Sequence, residues 1–144
     1  MARIATSCPP SAVVGGVGCV GSAGLVTLAA GTLPWTGATF GSVAAGLPAS
    51  SVAFGIWSLQ PGQSLLASVL PQSAPGCLLY MAPQLLTVAF AAGGTAAFAI
   101  DIPNDVLLGG QTLLHQVVPL GLDASGAIVE AASSNALTLT IGSF

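Results

Sequence analysis

Thr95-Ala96-Ala97-Phe98-Ala99-Ile100-Asp101 and Ala136-Leu137-Thr138-Leu139-Thr140-Ile141 are the stretches whose reading decides the fold. Successive side chains on a β-strand point to opposite faces, so a strand buried on one face alternates in sequence. In the first stretch Ala96, Phe98 and Ile100 oppose Thr95, Ala97, Ala99 and Asp101. In the second, Leu137, Leu139 and Ile141 oppose Thr138 and Thr140. The first-named set of each is expected in the core.

Outward from these stretches the chain is punctuated by turn signals at short spacing: Gly46-Leu47-Pro48, Gln60-Pro61-Gly62, Ala74-Pro75-Gly76, Gly93-Gly94, Pro103-Asn104-Asp105, Gly109-Gly110 and Asp123-Ala124-Ser125-Gly126 among them. Between them lie short runs rich in Val, Ile, Leu, Phe and Thr. Strands are expected at Leu25–Ala30, Thr39–Ala45, Val52–Ser58, Ser64–Val69, Cys77–Met81, Leu85–Phe90, Thr95–Asp101, Thr112–Pro119, Ala127–Glu130 and Ala136–Ile141. Many short strands separated by Gly/Pro turns indicate an all-β, antiparallel sandwich. The best helix-tolerant segment, Ala44–Val52, contains Gly46 and Pro48. The expected organisation is one sandwich domain over residues 18–144, preceded by an N-terminal extended arm, residues 1–17. Leu85–Phe90 is apolar on both faces; either its outer face is tolerated by water, or it is hidden at an interface.

Composition narrows the function. Of 144 residues only 3% are charged, against roughly 25% in ordinary soluble domains. They are Arg3, Asp101, Asp105, Asp123 and Glu130, and there is no lysine. One arginine cannot neutralise several phosphates, so nucleic acid is not an expected partner. So little charge also leaves little repulsion to keep copies apart. Neighbouring subunits, a bilayer or covalent glycan must then cover or solvate the surface. The best candidate membrane span, Ala12–Gly31, holds Gly15, Gly16, Gly18, Gly21, Gly24 and Gly31 and lacks a Lys/Arg flank. That makes a poor transmembrane helix, and no membrane span is expected. Thr6, Ser7, Cys8, Pro9 and Pro10 interrupt any signal-peptide core, so the numbering is expected to begin at a mature or internal start.

Residues able to carry chemistry are few. His115 is the only histidine and no Gly-x-Ser-x-Gly elbow is present, so the reading is non-enzymatic, with His115 a structural side chain. Asp101, Asp105 and Asp123 could gather at a calcium site, but calcium needs six to eight oxygen ligands, and Asp101–Asp105 reads more simply as a turn. No metal and no cofactor is expected. Trp35, Trp57, Tyr80 and Phe40 could form a sugar-binding platform. Core packing suits Trp57 and Phe40 better, which leaves Trp35 as the expected exposed ring and sugar contact. There is no Asn-x-Ser/Thr sequon; O-glycosylation at Ser/Thr-rich turns such as Ser133-Ser134 stays open.

From Gly18 onward the chain carries Gly18-Cys19-Val20-Gly21-Ser22-Ala23-Gly24, Leu33-Pro34-Trp35, Ala74-Pro75-Gly76-Cys77, Ile102-Pro103-Asn104, Gln116, Ser134-Asn135-Ala136 and Ile141-Gly142. In these motifs it resembles a family of small β-sandwich domains, often C-terminal in large secreted proteins of planctomycetes and related environmental bacteria. The resemblance covers most of residues 18–142. It implies an extracellular, jelly-roll-like domain without established catalytic residues. Where that family often carries an aromatic near Gln116, this chain has Leu114, His115 and Val117. Here the domain stands almost alone rather than capping a longer chain, which favours a dedicated subunit.

Cys19 and Cys77 are the expected disulfide, worth on the order of 4 kcal/mol in the chain-entropy model. The alternative is two buried thiols. Cys8, the odd cysteine, could replace either partner, stay free or bridge to another subunit.

The arm carries Ile4, Val13, Val14 and Val17 and joins the domain through Gly15-Gly16. Such a segment can add as a strand to the sheet edge of another copy. A head-to-tail contact of that kind gives open filaments unless it closes a ring. The functional expectation is a structural subunit of an extracellular, self-assembling fibre or surface layer. The alternatives are a surface-display or anchoring module of a larger secreted protein, and a carbohydrate-binding module. Removing residues 1–17 should leave a folded monomer that no longer polymerises; the alternative is that the arm folds back on its own domain as an extra edge strand.

Overall fold

The computed structural model describes residues 9–49 and 51–143. The described chain is all β apart from two single-turn 3-10 segments, Leu66–Ser68 and Val106–Leu108. Its strands are β1 (Ser11–Gly15), β2 (Val20–Gly21), β3 (Gly24–Leu25), β4 (Thr27–Ala30), β5 (Thr39–Ala45), β6 (Ser51–Ser58), β7 (Pro61–Leu65), β8 (Leu78–Met81), β9 (Leu85–Phe90), β10 (Thr95–Asp101), β11 (Thr112–Leu122), β12 (Ile128–Ala131) and β13 (Ala136–Thr140). A six-stranded sheet runs in the order β1-β13-β11-β6-β9, with β12 beside the far end of β11. A three-stranded sheet, β10-β5-β4, and two two-stranded ladders, β2-β3 and β7-β8, complete the sandwich-like fold. All the ladders are antiparallel.

The alternation in the two deciding stretches carries over. Leu137, Leu139 and Ile141 are buried, as are Ala96 and Phe98, while Ile100 is half-buried at the rim. Expected and observed bounds coincide for β5, β9 and β10.

Two expectations are corrected. Ser64–Val69 is not a strand: β7 ends at Leu65 and the chain turns through Leu66–Ser68. The Val69 and Leu70 N–H groups both donate to the Leu66 carbonyl, at 3.0 and 2.8 Å, the local bonds of a tight turn and not of a pleat; Leu66 drops its side chain into the core while Val69 stays exposed. Nor is all of residues 1–17 a free arm, because Ser11–Gly15 forms β1, paired from Ser11↔Thr140 to Gly15↔Ala136. The physical reason is the edge of β13, whose backbone groups β1 satisfies. The sandwich therefore begins by Ser11.

The six-stranded sheet is covered on both faces. On one, Phe40 and Phe98 from the smaller sheet pack edge-on around Trp57 and His115. On the other lie β8 and the Leu66–Ser68 turn, reached by Gln116. This explains why β11 is buried nearly from end to end, whereas β9, at the margin, is not.

Candidate assembly surfaces

The first candidate surface is the β1 edge with its anchor. Cys19 and Cys77 form a disulfide with Cα atoms 5.1 Å apart, which fixes the chain just after Val17 and Gly18. Between β1 and that bond, the Tyr80 hydroxyl donates to the Val17 carbonyl at 2.9 Å and accepts from the Val17 N–H at 3.1 Å. Gly16 sits at φ +67 with Tyr80 against the place a Cβ would take; any other residue there would be strained and would collide with the ring. Upstream of this clamp, β1 is held by its ladder with β13 and by Ala12 against the core, while Val13 and Val14 leave 58% and 62% of their surface to solvent. Val17 is exposed too. Ile4 and Cys8 lie outside the described residues.

The second surface is the opposite edge. β9 pairs with β6 on one side, and no other strand of the described chain joins its far side. Leu86, Val88 and Phe90 share one face and are 54%, 55% and 77% exposed. No charged residue occurs between Arg3 and Asp101, so neither β6 nor β9 carries one. Beside this face lies a cavity of about 320 Å³ between the sheet and the Leu66–Ser68 turn. Its lining is wholly aliphatic or aromatic, including Phe54, Ile56, Leu66, Leu79 and Val118, with Val69 and Leu86 at its exposed margin.

The residues considered for chemistry are placed elsewhere. His115 is fully buried and stacked on Trp57, with ring centroids 3.6 Å apart. Its Nδ1 lies 3.0 Å from the Ile56 carbonyl. A carbonyl only accepts, so Nδ1 carries the proton and Nε2 accepts from the Ser42 hydroxyl at 2.8 Å. A serine hydroxyl on a histidine nitrogen is the geometry of an activated nucleophile. Here a carbonyl stands where the orienting carboxylate would be, and Ser42 is itself buried. Burial, opposed by the Ile56 hydrogen bond, pulls His115 down to about 4. The ring is neutral at pH 7 and ties the two sheets together.

The acidic side chains do not converge. Asp101 accepts from the Thr39 hydroxyl, Asp105 from the Leu107 N–H, and Asp123 from the Ser125 and Ala127 N–H groups of its own turn. Among the described residues no three His, Cys, Asp or Glu side chains form a group able to hold a metal ion. Trp35, the expected exposed ring, is half-buried, with its backbone bridged to Gly142. Phe40 and Trp57 are core residues and Tyr80 is the Val17 clamp, so the four aromatics make no platform.

Gln116 and Asn135 are buried connectors, and Ser133-Ser134-Asn135, whose composition reads as an exposed turn, is buried. The Gln116 amide accepts from Tyr80 N–H and donates to the Leu78 and Ser134 carbonyls. Asn135 accepts from the Leu28 N–H and donates to the Leu28 carbonyl. For Gln116 the signal is a lone amide beside the apolar run Val117-Val118; Asn135, after two serines, carries no such signal. Among the described residues no helix is long and apolar enough to cross a membrane. Comparison with protein families, curated proteins and solved structures returns no match.

Proposed function

We propose that this chain is a non-enzymatic structural subunit that assembles with copies of itself outside the cell, joined head-to-tail by exchange of β1. The single observation that carries the reading is the construction of β1. It is a short edge strand with Val13 and Val14 exposed, joined through Gly15-Gly16 to a clamp and a disulfide that fix the following chain independently of the β1 ladder. Transferring such a strand to the β13 of another copy re-forms every ladder hydrogen bond, so exchange costs little beyond the hinge rearrangement. An open series of exchanges gives a filament. The disulfide supports an oxidising compartment, and the scarcity of charge supports a particle that is covered in use.

Cysteines placed at Val13 and Thr138, which face each other across the ladder, test the exchange in a Cys8→Ser background. Oxidised at concentrations where particles are visible by electron microscopy, exchanged chains should give a ladder of covalent multimers on a non-reducing gel. A single band of internally bonded monomer under those conditions would dispose of the reading.

A further inference from the structure

We propose that the free edge of β9 pairs antiparallel with the same edge of a second copy, in a two-fold contact that seats Phe90 of each copy over the apolar cavity of the other. The contact is separate from β1 exchange and does not depend on it.

Backbone direction is the first argument. The Ala91 N–H donates to the Ser51 carbonyl, so the Ala91–Ser51 pair lies on the hydrogen-bonded side of the β6–β9 ladder. In an antiparallel ladder this character alternates. The N–H and C=O groups of Phe90, Val88 and Leu86 therefore point away from β6, into the free edge. These are also the residues whose side chains stand exposed together on one face.

Self-complementarity is the second. Centring a two-fold axis on Val88 sets Val88 against its own copy and Leu86 against the partner's Phe90. All three outward-pointing residues then exchange backbone hydrogen bonds. Directly opposed side chains lie roughly 5 Å apart at Cβ, and Leu86 forms part of the cavity margin. Phe90, 77% exposed in the single chain, is thus delivered to the opening of a cavity of about 320 Å³, room for an aromatic ring. Knob and hole lie on the same face of the same strand, the arrangement a two-fold contact requires.

Area and charge agree. Leu86, Val88 and Phe90, with Val69 across the cavity mouth, each leave half or more of their surface in water. At roughly 100 Å² apiece, two copies would bury on the order of 800 Å² of side chain before the paired strand backbones are added, the low end of specific interfaces. No charge in this region opposes like meeting like.

A chain carrying Cys8→Ser and Val88→Cys tests the contact. On mild oxidation it should form covalent dimers and nothing larger through Cys at 88. Adding Phe90→Asp should abolish them while leaving the melting temperature, and the ladder from cysteines at Val13 and Thr138, unchanged. A Val88→Cys chain that stays monomeric, or dimers that persist with Phe90→Asp, would overturn the proposal. So would monomers whose cavity is filled by the chain's own first residues or an apolar ligand.

Discussion

The middle of the six-stranded sheet and its two margins hold polar and apolar groups in different ways. In the middle, the buried set includes Ser42, Ser58, His115, Gln116, Ser134 and Asn135, and among the described residues no buried side-chain N or O lacks a partner. At the margins stand Val13, Val14, Leu86, Val88 and Phe90, half or more in water and free of charge. Directional hydrogen bonds tie the layers to one another and specify one arrangement of the interior. The margins carry non-directional adhesion and open backbone groups, which hold a partner once register is set. The contrast separates what makes the subunit from what would join subunits.

Removing Cys19 or Cys77 should break the middle hardest. Their separation of 58 residues corresponds to about 4 kcal/mol, to be read in chemical denaturation as the loss in the Cys19→Ser, Cys77→Ser double variant relative to the parent chain. Next comes Gln116→Leu, which orphans the Tyr80 N–H and the Leu78 and Ser134 carbonyls. A loss of about 3 kcal/mol is expected, with hydrogen exchange of the Tyr80 amide rising beyond the global change.

Acid acts through His115. Its folded value of about 4 lies below the ordinary 6.5, so the unfolded chain takes up the proton first. Stability is then whole above pH 6.5, falls as pH drops toward 4, and levels below it. The loss totals about 3 kcal/mol, measurable as a falling Tm that His115→Gln should flatten. Tyr80→Phe, which frees Val17, should cost about 1 kcal/mol and speed β1 exchange. At the bottom of the stability scale, Phe90→Asp should shift unfolding by less than about 0.5 kcal/mol, since it breaks an edge and not the interior. A large destabilisation from Phe90→Asp would erase the distinction between middle and margin.

The same division governs what the sequence discloses. Period-2 alternation exposes strands buried on one face, and β10 and β13 are read correctly residue by residue. Leu85–Phe90 is recognisable as a strand from its composition, which leaves open whether its second face is tolerated by water or hidden. Ser64–Val69 misleads since its composition suits a strand, while the turn that replaces it is set by contacts of Leu66 with residues distant in sequence. The partner of His115 could not be read either: Ser42 is one serine among many, brought to the imidazole by sheet packing alone. The arm is half legible. Its glycine joint shows in the sequence, but its docking on β13 depends on how an edge some 120 residues away is left unpaired.

The Cys19–Cys77 bond also has a mechanical meaning. In a filament joined through β1, tension enters each subunit along the leading strand and meets the covalent bond two residues past Val17. The pull crosses there to Cys77 and continues toward β13, so the hairpin, β4, β5 and β6 that lie between the two cysteines in sequence are spared from stretching. Reducing agents should therefore lengthen the unfolding steps of single fibres in force spectroscopy, because the segment between the two cysteines then joins the stretch, even where the unloaded fibre looks the same.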